Sequence, residues 1–188
     1  GFDTDNFKTM PDKVGAKKRI AQAFDLNLDQ HKLVITVGRK VKRKGHEPFI
    51  KDILPRIKQP IVYLTVGEGP EFEAVKTAAN AYEGPHRIVL AGRQPDEMLQ
   101  SIYAAADLFV MPNIKVPGDM EGFGVVMLEA NSAGTPVVAS ALEGILDVIT
   151  EGKNGWLIPL GQQKQFAQQI DESFNPSTAL DHQSIHDF

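Results

Sequence analysis

The sequence predicts an α/β fold: a doubly wound, Rossmann-like parallel sheet of about six strands. Six short apolar runs alternate along the chain with segments whose apolar residues recur at helical spacing. The runs are apolar throughout, which is typical of strands covered by helices on both faces of a parallel sheet. Because crossovers between parallel strands are right-handed, a doubly wound topology is the arrangement that remains.

Glycine and proline mark where the predicted elements end. Gly38 closes the first apolar run, Pro112 closes the fourth, and Gly134 ends the helix before the fifth. The predicted strands are residues 33–37, 61–66, 87–90, 108–111, 137–139 and 156–158. The predicted helices are residues 13–26, a segment with Phe49, Ile50, Ile53, Leu54 and Ile57 on one face, and residues 71–82, 95–106, 125–133, 142–151 and 164–174.

Composition excludes several classes of protein. The 188 residues are 42% hydrophobic and 23% charged, which suits one well-cored domain. A formal charge of −4 argues against nucleic-acid binding, and the absence of cysteine excludes disulfides and thiolate zinc sites. No apolar run approaches the ~20 residues of a spanning helix and no signal peptide opens the chain, so we expect a cytoplasmic protein.

The most distinctive stretch runs from Glu121 to Glu129. It places two carboxylates eight positions apart around a Gly122-Phe123-Gly124 turn, and a helical apolar run begins at Val125. Backbone N–H groups at a helix N-terminus bind anions. Carboxylates accept hydrogen bonds from hydroxyl groups. A phosphate together with many hydroxyls predicts a nucleotide sugar as the ligand.

Other chemically distinctive residues follow the predicted strands. Arg39 and Lys44 follow the first strand, Gly67 and Gly69 the second, and Gly92-Arg93 the third. In open α/β sheets, ligands bind beyond the carboxyl ends of the strands, where the winding reverses. We therefore expect these residues to share one rim of the domain with the Glu121–Glu129 stretch.

Several segments resemble, in the same order, the motifs of one family. The matching segments are residues 38–45 (GRKVKRKG, like G-R-x(4)-K-G), 66–70 (VGEGP), 103–108 (YAAADL), 121–129 (E-x(7)-E), 134–139 (GTPVVA) and 151–155 (EGKNG). Residues 1–7 (GFDTDNF) resemble the family's G-V-D-T-x-x-F linker. The chain thus resembles the C-terminal, donor-binding domain of a retaining glycosyltransferase of the GT-B fold, in the group 1 (GT4) family.

The resemblance implies a division of the chain and a partner. Residues 1–12 are expected to form the interdomain linker, residues 13–174 the nucleotide-sugar-binding domain, and residues 175–188 a polar tail. Because the fold uses two Rossmann-like domains with the site between them, the N-terminal acceptor-binding domain is expected to be missing. The fragment should bind donor with little turnover, and association with a membrane surface is expected only through the missing domain.

The resemblance also implies roles for individual residues. Glu121, Arg39 and Lys44 are the expected catalytic residues: the two cations would neutralise the diphosphate, and Glu121 would face the transferred sugar. Glu129 is expected to accept hydrogen bonds from the ribose. The expected donor-binding residues are Gly38, Gly67, Gly92, Arg93, Gly122, Phe123, Gly124, Val125 and Glu129. Lys40, Lys42 and Arg43 are expected to face solvent.

The sequence predicts no metal cofactor. The five histidines (His31, His46, His86, His182 and His186) lack metal-ligand spacing and are expected at the surface or in turns, and the aspartates form no D-x-D pair. The expected ligand is a UDP-, GDP- or ADP-linked sugar. A front-face reaction with Glu121 positioning the sugar is favoured over covalent double displacement, which stays open.

Other functions also stay open. The chain could be half of a GT-B nucleotide-sugar epimerase, or a noncatalytic nucleotide-sugar-binding regulator. A dinucleotide dehydrogenase is disfavoured, because Gly38 is followed by Arg39 and a basic run instead of G-x-G-x-x-G.

Overall fold

A computed structural model describes residues 11–120 and 124–187. Six strands form one sheet in the order β3-β2-β1-β4-β5-β6, and each neighbouring pair is parallel. The strands are β1 (Lys32–Val37), β2 (Ile61–Val66), β3 (Arg87–Gly92), β4 (Leu108–Met111), β5 (Val137–Ser140) and β6 (Gly155–Ile158). The predicted doubly wound, Rossmann-like sheet is confirmed.

Helices connect the first five strands and cover the sheet. They are α1 (Lys13–Phe24), α2 (His46–Pro48), α3 (Phe72–Ala81), α4 (Asp96–Ala105), α5 (Val125–Ser132), α6 (Gln163–Ser173) and α7 (His182–His186). A 3₁₀ turn (Lys42–Lys44) precedes α2, which continues into a π-helical turn (Phe49–Ile53) and a 3₁₀ turn (Leu54–Arg56). The predicted apolar face of this segment is buried.

Burial on both sheet faces explains why the strands are continuously apolar. Successive side chains of a strand point to opposite faces. In β1, Leu33 and Ile35 join one core cluster with α1 and α4, whereas Val34 joins a second cluster beneath the α2 segment and α6. A polar residue at either set of positions would lose its hydration without a partner. Thr36 is the polar residue of β1 that does have partners, because its hydroxyl hydrogen-bonds to Val110 O and Tyr63 Oη.

The winding of the sheet reverses between β1 and β4. The chain passes from β1 outward to β2 and β3, then returns to β4 on the other side of β1 and continues to β5 and β6. The loops that follow β1 and β4 therefore diverge in opposite directions from neighbouring strands. This arrangement leaves a crevice at the carboxyl ends of the two central strands.

A charged cluster closes the opposite, amino end of these strands. Asp107, directly before β4, accepts hydrogen bonds from the Leu33 N–H (2.8 Å) and the Lys17 ammonium (2.9 Å), and its carboxylate lies 3.2 Å from Lys13 Nζ. Burial would raise the pKa of Asp107, but Lys13, Lys17 and these hydrogen bonds outweigh burial and hold it below its usual value. Asp107 therefore ties α1 and β1 to β4.

The helix predicted over residues 142–151 is wrong. Residues 143–148 form consecutive turns, with Ile145 and Ile149 buried against the core. Gly144 has φ of 84°, a left-handed conformation that cannot continue a right-handed helix. The apolar residues whose spacing predicted a helix belong to these turns, and Ile145 and Ile149 anchor the turns to the core.

The polar C-terminal stretch contains a short helix. The Asp181 side chain caps α7 by accepting from the Gln183 N–H, and Ile185 is buried where α7 contacts α5. Ile185 and the partly buried Leu180, which packs against the second core cluster, are the apolar contacts of this otherwise polar segment with the domain.

Candidate functional site

The loop after β1 carries two of the predicted cations. Arg39 is exposed, whereas Lys44 is only 5% exposed, and its side chain passes next to Gly38. Gly45 follows with φ of 70°, and a Cβ added there would lie 2.0 Å from the carbonyl oxygen of Pro112. Because only glycine permits this approach, the loop after β1 packs directly against the loop after β4.

Backbone hydrogen bonds join the loops after β1, β2 and β3. Gly38 donates its N–H to Val66 O (3.0 Å), and Gly67 donates its N–H to Gly92 O (2.7 Å). A Cβ added to Gly67 would lie 2.2 Å from Gly38 O, so the first two loops are in backbone contact. Three predicted donor-binding glycines therefore lie in one connected layer at the carboxyl end of the sheet.

Arg93 follows β3 and is exposed. In the described part of the chain, no side-chain hydrogen bond joins it to the other predicted site residues. A Cβ added to the neighbouring Gly92 would meet nothing within 4 Å, so open space lies beside this end of β3. The pair thus borders an open surface at the outer end of the loop layer.

The prediction that Lys40 faces solvent is wrong. Lys40 is fully buried, and its ammonium donates to Gly67 O. Burial lowers the pKa of Lys40 to about 8, although the charge of Glu68 opposes the shift. No feature of the sequence distinguishes Lys40 from its neighbours, because it lies in a basic run in which Lys42 is exposed as predicted.

Arg43 is also less exposed than predicted. Its guanidinium lies 3.3 Å from the carboxylate of Asp119, in the loop after β4. The pair forms a second link between the loops after β1 and β4, and it adjoins a cavity of about 440 Å³ lined by residues 113–120, 141–143, 146 and 160.

Two histidines expected at the surface are buried. His86 is satisfied, because Nδ1 accepts from the Ile61 N–H (3.1 Å) and Nε2 lies 2.9 Å from Ile57 O. His46 is 2% exposed, and neither ring nitrogen has a hydrogen-bond partner among the described residues. Burial, and then the charges of Lys40 and Lys44, lower the pKa of His46 to about 3, so its ring is neutral.

Helix α5 begins at the centre of the Glu121–Glu129 stretch. Gly124, with φ of 61°, is the N-cap, and Val125 opens the helix with a 43% exposed side chain. Glu121, Gly122 and Phe123 lie outside the described residues, so their predicted roles stay predictions. The first N–H groups of α5 have no partner within the helix, as at every helix N-terminus.

Glu129 lies on the inner face of α5. It is 2% exposed, and the Tyr103 hydroxyl of α4 donates to Oε2 at 2.7 Å. Burial raises the pKa of Glu129 to about 7; the Tyr103 hydrogen bond opposes this shift and the charge of Asp96 adds to it. The carboxyl therefore changes its charge near neutral pH.

Tyr103 was recognised in the sequence only as part of a motif. Its contact with Glu129 joins residues 26 positions apart, and its carbonyl accepts from the Thr135 hydroxyl at 2.9 Å. No local pattern reveals such a pair. A buried tyrosine in an otherwise alanine-rich helix end was the available signal, since a buried hydroxyl needs a partner.

Within residues 11–120 and 124–187, no group of three or more histidine, aspartate and glutamate side chains is arranged to hold a metal ion. In the same part of the chain, no helix combines the length and apolarity needed to cross a membrane.

Comparison with known proteins identifies relatives over most of the chain. Residues 18–183 match the family described as glycosyl transferases group 1. A GDP-mannose-dependent alpha-(1-6)-phosphatidylinositol monomannoside mannosyltransferase of Mycolicibacterium smegmatis is 32% identical over 163 residues, which are 84% of this chain and 41% of the relative. The amylovoran biosynthesis glycosyltransferase AmsK of Erwinia amylovora is 31% identical over 84% of this chain and 38% of its own length.

Solved structures show the same fold. Anabaena HepE in complex with UDP superposes with a TM-score of 0.80 at 24% identity, over 100% of this chain and 50% of that one. The isolated C-terminal domain of a group 1 glycosyl transferase, LpcC from Francisella tularensis, has a TM-score of 0.70 at 23% identity and is covered to 95%.

This chain spans about 40% of the length of the curated relatives it matches. The family match, in contrast, extends over nearly the whole chain, from α1 to α7. With the strand order, the joined loops and the α5 N-terminus, it leads to one conclusion: the chain belongs to the group 1 glycosyl transferase family.

Proposed function

We propose that this chain is the donor-binding half of a retaining glycosyltransferase, which transfers a sugar from a nucleotide-diphosphate sugar to an acceptor. One observation carries the proposal. The winding reverses between β1 and β4, so the loop bearing Arg39 and Lys44 lies beside the loop that leads into α5 and Glu129. Cations, helix N–H groups and a carboxylate are the groups that a nucleoside diphosphate requires.

The diphosphate would lie between the loop after β1 and the start of α5. Arg39 suits a bidentate phosphate contact, and Lys44 supplies a point charge. The N–H groups of Phe123, Gly124 and Val125 would add donors aided by the helix dipole. As the glycosidic bond breaks, negative charge builds on the departing diphosphate, and these fixed groups would stabilise it without reorganisation.

The two carboxylates would have separate tasks. The ionised Glu129 would accept hydrogen bonds from the ribose hydroxyls, with Tyr103 occupying one of its oxygens. Glu121 would position the transferred sugar. We favour a front-face reaction in which the leaving phosphate helps to deprotonate the acceptor, so that configuration is retained without a covalent sugar–enzyme intermediate.

The names of the relatives indicate which nucleotide-sugar donors to test. The mycobacterial relative uses GDP-mannose, and the HepE structure contains UDP. Gly92 and Arg93, with the end of β3, would contact the nucleobase. We propose that no metal ion takes part, because Arg39 and Lys44 would supply the charge neutralisation; EDTA should leave nucleotide binding unchanged.

The rest of the enzyme would be a preceding acceptor-binding domain. The lengths of the relatives leave room for such a domain, which residues 1–12 would connect to this one. We propose a cytoplasmic protein in which this domain reaches a membrane surface only through that partner. Alone, it should bind donor and transfer sugar poorly.

Calorimetric titration of this chain with UDP, GDP and ADP, and with UDP-glucose and GDP-mannose, tests the proposal. We expect one nucleotide to bind, and Arg39→Ala to weaken it by about 30-fold, the loss of a charged hydrogen bond. Lys18→Ala, an exposed cation on α1, is the matched control and should leave the affinity unchanged.

Two results would overturn parts of the proposal. If none of these nucleotides binds, the donor-site assignment fails. If the isolated chain transfers sugar to an acceptor at rates of about 1–1,000 per second, ordinary for an enzyme, the assignment of a missing acceptor half fails.

A further inference from the structure

We propose that Lys40 is a positioning residue of the donor site: its ammonium holds the loop after β1 against the loop after β2 and so fixes Arg39 and the Gly38 peptide beneath the diphosphate. This inference rests on the proposed function and assigns a role to a residue outside the expected donor-contact set. It starts from the position of Lys40 next to Arg39 in a loop that is otherwise partly open to solvent.

Lys40 connects the two loops through three of its groups. Its ammonium donates to Gly67 O, its N–H donates to Glu68 O at 2.9 Å, and its carbonyl accepts from the Glu71 N–H at 2.9 Å. Gly67 in turn donates to Gly92 O, so the connection continues to the loop after β3. One residue therefore holds together the layer that carries the predicted donor-binding glycines.

The burial of an ammonium at this place needs an explanation. Burying a lysine costs free energy that a hydrophobic residue of similar length would not incur. The Lys40 ammonium has three N–H donors, and the described residues supply one acceptor for them, Gly67 O. The aromatic ring of Phe72 lies 5.9 Å from Nζ and contributes a weak cation–π contact.

No carboxylate of the described residues lies within ion-pair distance of the Lys40 ammonium. Glu68 attracts the ammonium, but its carboxylate is not within ion-pair distance. Burial, and then the charges of Lys40 and Lys44, lower the pKa of the nearby His46 ring, which is neutral. Among the described residues, the Lys40 ammonium has one hydrogen-bond acceptor, Gly67 O, so its charge is costly to bury in the empty domain and is favourable when a diphosphate lies above it.

Substitution of Lys40 tests the role directly. Lys40→Met keeps the length of the side chain and removes both the charge and the hydrogen bond. We expect it to fold, with a thermal midpoint no lower than that of the wild type, and to bind the preferred nucleoside diphosphate about tenfold more weakly. Lys42→Met, two residues away and exposed, is the matched control and should bind within about twofold of the wild type.

The pH dependence of nucleotide binding distinguishes a positioning role of Lys40 from a general effect of the substitutions on the fold. Wild-type affinity should fall as the pH rises from 7 to about 8.5, because the Lys40 ammonium loses its proton near pH 8. A nucleoside diphosphate keeps its charge over this range, since its last phosphate ionisation lies at about pH 6. Lys40→Gln, which can still donate to Gly67 O, should lose this pH dependence and recover part of the affinity lost in Lys40→Met.

The outcomes are distinct from those of the donor-site proposal. If the wild type binds no nucleotide, the proposed function fails. If the wild type binds and Lys40→Met binds equally well, or if the affinity of Lys40→Gln changes with pH as the wild type does, the role of Lys40 is refuted. If Lys40→Met does not fold, the comparison of wild type with Lys40→Gln across pH decides the question alone.

Discussion

Two groups of basic side chains lie at opposite ends of the same central strands, and they are built differently. At the amino end, Lys13 and Lys17 of α1 meet the carboxylate of Asp107. At the carboxyl end, Lys40 is fully buried against a carbonyl oxygen, next to a histidine with no hydrogen-bond partner among the described residues. The first group brings a carboxylate into contact with its lysines, whereas no carboxylate of the described residues contacts the Lys40 ammonium.

The difference teaches how a structural charge cluster can be distinguished from a ligand site. The Asp107 cluster is complete, because each charge has an opposite charge or a hydrogen bond within reach. Among the described residues, the Lys40 ammonium has one acceptor, Gly67 O, and so keeps N–H donors without a partner at the place where the winding reverses. An incomplete cluster at a topological switch point indicates a ligand, whereas a complete one indicates stability.

The largest effect should come from breaking the complete cluster. Asp107→Asn leaves two lysines without an opposite charge and should reduce the free energy of unfolding by about 3 kcal/mol. Nucleotide affinity, measured per folded molecule, should stay the same. Urea unfolding and calorimetry measure the two quantities.

The matched control for Asp107→Asn is Glu97→Gln, which removes the exposed ion pair with Arg19. It should change stability by less than about 0.5 kcal/mol. A loss of nucleotide affinity in folded Asp107→Asn would show that the two ends of the sheet are coupled, and the separation of a stability cluster from a ligand site would be refuted.

A smaller effect on stability, with a loss of binding, should follow from disturbing the loop layer. In Gly67→Ala, the new Cβ would lie 2.2 Å from Gly38 O at a φ of 120°, so the loops after β1 and β2 must separate. We expect a stability loss of roughly 2 kcal/mol and weaker nucleotide binding. Gly152→Ala, at φ of 74° with open space around it, should cost only about 1 kcal/mol and leave binding intact. Equal binding by both variants would contradict a rigid layer.

The last effect concerns the protonation of Glu129 and is visible only when the pH is varied. The folded protein holds this proton up to about pH 7, whereas the unfolded chain releases it near 4.5. Stability from this group is therefore greatest below pH 4.5 and is lost as the pH rises through 7, by roughly 3 kcal/mol in total. Glu129→Gln should remove this dependence in denaturant titrations at pH 5 and 8.

Binding should respond to Glu129 in the opposite direction. If the ionised carboxylate accepts from the ribose, affinity for a nucleotide sugar should fall as the pH drops from 7 to 5, a range in which Lys40 stays protonated. The nucleotide sugar is the suitable probe, because its phosphates do not titrate in this range. A wild-type affinity that stays constant over these two pH units would exclude the ribose role.

Local signals predicted the framework well. The apolar runs at residues 61–66 and 108–111 match β2 and β4 to the residue, and the remaining strands differ by one or two positions at their ends. Strands buried on both faces leave a strong signal, since every position must be apolar. The helix predicted at residues 142–151 failed, because the left-handed Gly144 could not be seen in the apolar spacing.

Side-chain environments in the loops were predicted less well. Lys40 and Lys42 look alike in the sequence, yet one is buried and the other exposed. His46 and His86 were expected at the surface and are buried. In each case the environment depends on a loop or strand far along the chain, such as Gly67 for Lys40 and Ile57 with Ile61 for His86.

The sequence by itself determined the parallel sheet, the order of its elements and the set of loops that can carry a site. These follow from the spacing of apolar residues and from the handedness of crossovers, which are local or topological constraints. Only the tertiary structure decided that Lys40 lies beneath the loop layer, that Tyr103 holds Glu129, and that Asp107 neutralises the lysines of α1. Each of these contacts joins residues more than 20 positions apart, and its energy depends on burial that no single segment specifies.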